Sequence, residues 1–454
     1  MQRRRDGVAV ATERAVELER LGERVDAPSN RVVVRRVRDR VEQIARATAR
    51  RDGASTRRAT RPLRARSVNG AQGDEVFVFG LGYLGRALAK ALTREGYVVR
   101  GTTLDDGEDD EDDGITETTT TWRGTRDDVE AIEAMVDRAT HVIVAVPPSS
   151  AETGEGWRDP VYDAFARTLK AARRDDAGRR RTRFVGYCST TAVYGDHEGR
   201  WVDETSARRA ASGTAKTRRD AEERWTALAA AANGELKVVC YRLGGIYGPG
   251  RNALETVKRR ATGESESASQ RARASRAYTS RVHVRDAVNL IAATMRAGEA
   301  ASDAYNVVDD FPMSRRDAVA FAERLMGVAR DGASEAPAAP VAREESSRGE
   351  KRVKNDRMKR ALERFGGERK CLEFPSAYQG LRELAVDEGI VRRDDAFAKW
   401  FDERFSKLLA GEYADVRFEQ RGDDGADASS NRDDAREMPR PESGESSRWF
   451  CEFS

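Results

Sequence analysis

From Val76 onward, short runs of apolar residues alternate with stretches in which apolar residues recur every three or four positions. The first pattern predicts strands and the second helices, and their alternation is that of βαβ units feeding a parallel sheet. Strands are predicted over 76–80, 97–103, 142–146, 184–189, 236–243 and 305–308. The first run leads straight into Gly80-Leu81-Gly82-Tyr83-Leu84-Gly85, after which Leu84, Ala87, Leu88, Ala91 and Leu92 mark one helical face. Strand, tight turn and helix thus stand in the order that a dinucleotide phosphate site needs. Gly80 permits the turn, Gly82 lets backbone approach a pyrophosphate, and Gly85 lets helix and strand pack closely. The amides and positive end of the helix would hold the phosphates. A structural turn is the plainer alternative; Gly96, which ends the helix just before another strand, favours the cofactor site.

The pattern breaks in several places. Asp105 to Asp113 holds eight acids in nine residues and predicts an exposed insertion. The polar stretches 263–275 and 330–349 predict two more surface loops. At 396–409, Phe397, Trp400, Phe401, Phe405 and Leu408 share one helical face, which predicts a helix docked on its own domain or, alternatively, on a partner. Beyond about 418 the composition predicts a disordered tail. Residues 1–73 carry 19 Arg and no Lys, and between Gln43 and Gly70 the only acid is Asp52. An organelle transit segment, a disordered arm and a wrongly assigned start all remain open for this part, since its first half carries eight acids. An RNA-binding role for the arm has only composition behind it.

The whole chain has 454 residues, 35% of them charged and 7% aromatic, which predicts one medium-sized core with long solvated extensions. Its net charge of +3 excludes a global field directed at nucleic acid or a membrane. A small polar molecule is the expected partner, with no nucleic acid and no membrane. No apolar run approaches the ~18 residues of a membrane span. Cys188, Cys240, Cys371 and Cys451 are far apart and have three histidines for company, so neither a metal site nor a disulfide framework is predicted. The expected location is soluble: cytoplasmic in a reducing compartment or, if the Arg-rich segment targets, in a chloroplast or mitochondrion.

For NAD, the second strand should end on an acid that grips the ribose hydroxyls. Thr103 stands there instead, with Arg100 and Thr102 nearby as donors to a 2′-phosphate. The expectation is NADP, with NAD kept open because Asp105 follows closely.

Seven separated stretches together carry a resemblance: FGLGYLG (79–85), VAVPPS (144–149), YCSTTAVYGDHEGRWVDE (187–204), YRLGGIYGPGRNAL (241–254), SRVHVRDAV (280–288), YNVVDDFPMSRRD (305–317) and KRVKNDRM (351–358). In this order they resemble the extended short-chain dehydrogenase/reductases, the NAD-dependent epimerase/dehydratase family, and especially its atypical branch. The resemblance covers about 76–381. It implies an α/β fold with a Rossmann-type doubly wound parallel sheet and a smaller C-terminal substrate lobe. It implies cofactor contacts from Gly80 to Gly85, Thr103, Val146 and Pro147, lobe residues Arg242, Tyr247, Arg281 and His283, and a homodimer as the family habit. The boundaries expected are 1–73 for the arm, 74–243 for the Rossmann domain, 244–385 for the lobe with the remaining sheet elements, 386–415 for the amphipathic segment and 416–454 for the tail.

The resemblance also implies acid/base chemistry by a Ser or Thr hydroxyl, a Tyr, and a Lys four residues after that Tyr. A Tyr with its ordinary pKa of ~10 needs a neighbouring ammonium before it works near neutrality. Thr190 supplies the hydroxyl, with Ser189 and Thr191 beside it. The positions of the pair, however, hold Thr214 and Arg218, and Lys216 falls on another helix face. Arg218 could hold the ribose but does not release a proton. The usual Pro-Phe-Asn is replaced by Leu243-Gly244-Gly245. Tyr187 or Tyr194 is the reserve acid, Tyr194 having its own place in the motif. Of His283 and Asp286, at a strand-to-helix junction, polar pairing that fixes the lobe is expected before catalysis. Two functions stay open: an NAD(P)-dependent oxidoreductase or epimerase-like enzyme on a small polar, sugar-like substrate, and a cofactor-binding scaffold or redox sensor without catalysis.

Overall fold

The computed structural model describes residues 74–103, 119–122, 126–150, 156–171, 174, 178, 181–211, 213–262, 276–328 and 350–392. The arm, the acidic insertion, the two polar loops, the 396–409 segment and the tail lie outside these residues, as does Asp105. Seven strands form one sheet: β1 (Glu75–Phe79), β2 (Val98–Thr103), β3 (Thr119–Thr121), β4 (His141–Val144), β5 (Phe184–Thr190), β6 (Lys237–Leu243) and β7 (Ala304–Val307). Their order is β3-β2-β1-β4-β5-β6-β7, and every pairing is parallel. The order reverses between β1 and β4, which creates the crevice where doubly wound sheets take their ligands.

The strands read as continuous apolar runs because both faces of the sheet are covered. Val76 and Val78 point into one core with Leu88, Leu92 and Ile291, while Phe77 and Phe79 point into the other with Ile132, Phe165 and Trp225. Helices α1 (Tyr83–Arg94), α6 (Val284–Ala297) and α8 (Asp356–Phe365) cover the first face. Helices α2 (Arg126–Arg138), α3 (Pro160–Ala171) and α4 (Gly213–Ala231) cover the second. The six predicted strands are present to within two residues at each end. The seventh, β3, is a run of three threonines that carries no apolar signal and sits at the sheet edge.

Helices α5 (Ala253–Ala261), α7 (Arg315–Leu325) and α9 (Ala377–Asp387) form a third cluster around Leu254, Phe321 and Leu381. Ser314 caps α7 by accepting from the Asp317 amide. Cys188 and Cys240 are buried free thiols within the sheet.

Candidate functional site

The glycine loop is held from both sides. The Thr102 carbonyl accepts from the Leu81 amide at 2.7 Å, and the Thr102 hydroxyl accepts from the Gly80 amide at 3.0 Å. Gly80 has φ +92°, and a Cβ there would lie 3.0 Å from the side chain of Val146, two residues past β4. A Cβ on Gly85 would lie 2.2 Å from the Gly80 carbonyl oxygen, so only glycine lets α1 approach the turn this closely. Gly82 differs: a Cβ there would meet nothing within 4 Å, and no side chain caps α1 at this residue. First-turn amides without a side-chain cap beside open space suit an anionic group. These features fit the pyrophosphate of a nicotinamide dinucleotide.

The loop opens into a cavity of about 1500 Å³. Its lining includes every loop residue from Gly80 to Gly85, Thr103, Val146, Pro147, Thr190, Arg218, Tyr247 and Arg281. The structure thus brings most of the sequence-predicted site residues together. From the lobe side, Tyr83 donates to the Pro249 carbonyl at 3.1 Å, and the Arg251 guanidinium lies 5.4 Å from the Tyr83 ring centroid. Arg100 turns away from the cofactor side and donates to Glu75 at 2.6 Å.

At the end of β5, the Thr190 hydroxyl accepts from the Ala192 amide at 3.2 Å, starting a single 3-10 turn, and the side chain borders the cavity. Arg218 reaches over from α4 and donates to the Cys188 carbonyl at 2.6 Å. Thr214 is exposed, and Lys216 pairs with Asp220 one turn on. Tyr187 is fully buried against Trp225 with Arg218 beside it, and burial drives its phenol well above the ordinary range. Tyr194 is also fully buried and is absent from the cavity lining. Its hydroxyl donates to Asn306 Oδ1 at 2.7 Å and accepts from Arg242 Nη1 at 2.9 Å, and burial pushes it up to about 12.

Arg242 likewise lies away from the cavity lining, below the site in β6. It donates to Glu222, which also accepts from Ser189 at 2.5 Å and from Arg208 at 3.1 Å. Glu222 is a buried neighbour of the candidate site that sequence reading missed. The available signal was Arg242 itself, because an arginine inside an apolar strand requires a buried counter-charge.

In the lobe, Arg281 donates to the carbonyls of Thr279, Met313 and Ser314. Tyr247 packs edge-on to His283 at 5.2 Å and donates to the Ser376 carbonyl. His283 caps α6 by accepting from the Arg285 amide, and its ring packs on Phe374; burial, then Arg285, lowers its imidazole to about 3. Asp286 accepts from the Glu373 and Phe374 amides, and burial raises its carboxyl to about 7. His283 and Asp286 therefore fix the 373–374 segment to α6. Among the described residues no group of His, Cys, Asp and Glu is placed to hold a metal ion, and no helix is long and apolar enough to cross a membrane.

Residues 76–307, just over half of the chain, match the model of the NAD dependent epimerase/dehydratase family. A functionally unknown conserved protein from Silicibacter pomeroyi DSS is 30% identical, with a TM-score of 0.51 over 69% of this chain and 99% of that one. A protein from Methylobacillus flagellatus, described provisionally as an NAD-dependent epimerase/dehydratase, is 23% identical, with a TM-score of 0.50 over 70% of this chain and 99% of its own. MoeE5, solved with UDP-glucuronic acid and NAD, shares the fold at 17% identity and a TM-score of 0.50, over 71% of this chain and 100% of its own. No curated protein matches. With its glycine loop, its fully parallel sheet and this match, the chain belongs to the NAD-dependent epimerase/dehydratase family.

Proposed function

We propose that the protein is an NADP(H)-dependent enzyme acting on a hydroxyl or carbonyl of a small polar, sugar-like substrate. One observation carries this reading: the uncapped glycine loop and the Thr190 hydroxyl border the same cavity, which the lobe residues Tyr247 and Arg281 close. The amides of the loop would hold the pyrophosphate, with Val146 and Pro147 beside the dinucleotide. When bound, the nicotinamide supplies hydride transfer to or from a substrate carbon. Thr190 would donate a hydrogen bond to the substrate oxygen, and Arg218 would hold the ribose from its anchor on Cys188. NADP is favoured because β2 ends on Thr103, which borders the cavity and repels no 2′-phosphate. MoeE5 takes a nucleotide sugar, which makes sugar derivatives the first substrates to try.

The experiment is calorimetric titration of NADP+, NADPH and NAD+ into the purified protein, followed by turnover assays on sugars and carbonyls. Flat traces with all three coenzymes would overturn the reading. A second reading, a cofactor-binding scaffold or redox sensor, is favoured by the exposed Thr214 and by Tyr194, which is buried, bonded to Asn306 and Arg242 and absent from the cavity lining. Tight coenzyme binding with no turnover on any substrate, and no effect of Thr190→Ala, would select it.

A further inference from the structure

Tyr83 belongs to both halves of the site. It is the first residue of α1, so its amide stands among the uncapped first-turn amides beside Gly82. Its side chain leaves the loop and crosses to the lobe, where the hydroxyl donates to the Pro249 carbonyl at 3.1 Å with the Arg251 guanidinium over the ring. Burial raises its phenol above the ordinary value, with Arg251 opposing, so the hydroxyl keeps its proton and stays a donor at physiological pH.

The segment that receives this hydrogen bond is firmly built. Gly248 and Arg251 exchange both backbone hydrogen bonds, at 3.0 and 3.1 Å, and close a tight turn around Pro249 and Gly250. The turn presses directly on Tyr83. A Cβ at Gly248 would lie 2.6 Å from the Tyr83 hydroxyl and 2.8 Å from the Val284 side chain of α6, so glycine is what admits the tyrosine here. From the turn the connection runs on to α5. Asn252 Nδ2 donates to the Gly248 carbonyl at 3.0 Å, and Asn252 Oδ1 caps α5 by accepting from the Glu255 amide at 3.1 Å. Asn252, Ala253, Glu255 and Thr256 all line the cavity.

These contacts tie an amide of the coenzyme loop to a wall of the substrate pocket. The joint between them is the bond from Tyr83 to Pro249, which is exposed, so water competes for both partners. A dinucleotide that bonds the Tyr83 amide fixes the start of α1 and with it the ring, which lowers the entropic cost of keeping that joint closed. Such coupling is reciprocal: a ligand that orders α5 tightens coenzyme binding by the same factor.

We propose that Tyr83 is a positioning residue that couples coenzyme binding to the substrate wall: with its amide on the pyrophosphate, its hydroxyl holds the 248–251 turn and orders the start of α5. The inference rests on the reading that the glycine loop holds a nicotinamide dinucleotide, and it makes the substrate wall complete only once that coenzyme is bound.

The test follows backbone hydrogen exchange by mass spectrometry on the full-length protein, with and without saturating NADP+, or NAD+ where titration favours it. Over peptides spanning 245–257 the coenzyme is expected to slow exchange about tenfold in the wild type, within the usual range of coupling between two sites. In Tyr83→Phe, also saturated, the slowing should shrink to about twofold or less. A merely structural contact would instead raise exchange in Tyr83→Phe equally with and without coenzyme. Peptides from β7 and α8, which lie away from the cavity lining, should exchange alike in both proteins and report that the fold is kept. Gly248→Ala, whose Cβ pushes the tyrosine aside, should give the same loss from the other side of the contact. Exchange over 245–257 that coenzyme leaves unchanged in the wild type, or slows as much in Tyr83→Phe, overturns the coupling alone. Failure of both coenzymes to bind the wild type overturns the reading of the loop, and the coupling with it.

Discussion

Arg242 and Glu222 meet inside the molecule, Nη2 of one 3.0 Å from Oε2 of the other, with both side chains almost fully buried. The pair joins β6 to α4 directly beneath the cavity, and Ser189, at the end of β5, leans on the same carboxylate. Removing one partner leaves the other charge buried and uncompensated, which costs about 3–5 kcal/mol. Glu222→Ala should therefore lower the thermal midpoint sharply, as followed by calorimetry or circular dichroism. Surface variants such as Glu223→Ala should leave it almost unchanged.

The glycines of the loop separate binding from folding. A side chain at position 82 meets open space, whereas one at position 85 drives into the Gly80 carbonyl. Gly82→Val is expected to keep the wild-type melting temperature and to weaken nicotinamide coenzyme binding at least tenfold. Gly85→Val is expected to lower the melting temperature itself. Titration calorimetry beside a melting curve reads both.

Tyr194 tests whether a motif tyrosine supports the site or takes part in it. Its hydroxyl bridges Arg242 and Asn306, away from the cavity lining. Tyr194→Phe strips a partner from each, at a cost of about 1–3 kcal/mol. Denaturant unfolding should show that loss while coenzyme affinity is retained. Thr190→Val should do the reverse, abolishing any turnover while losing only its cap to the Ala192 amide, at a cost of about 1 kcal/mol.

Asp286 gives stability a pH dependence of defined sign. Its folded pKa of about 7 lies above the usual carboxylate value, mainly through burial. Between the two values the native state binds more protons than the unfolded chain, so this group's contribution falls as pH rises toward 7. It is fully present below the unfolded pKa. The stability difference between wild type and Asp286→Asn should consequently be larger at pH 5 than at pH 8, in paired urea titrations.

Much of the architecture was legible along the chain because it depends on local periodicity. VFVF at 76–79 is a run without alternation, and only a sheet buried on both faces can send Val76 and Val78 one way and Phe77 and Phe79 the other. The glycine loop was equally readable, since φ and close approach are properties of single positions. The three-threonine edge strand was not, because an edge strand needs no apolar face to pair.

By itself the sequence determined the strand runs, the loop that would grip a pyrophosphate, the hydroxyl at Thr190 and the loss of the usual tyrosine and lysine. Tertiary structure alone decided which polar groups meet and how each is charged. Lys351 lies 156 residues from the carbonyl it binds, and Tyr194 lies 112 from Asn306. No periodicity encodes such pairs. They arise when the sheet order brings distant strand ends together, and burial then sets which proton each group keeps.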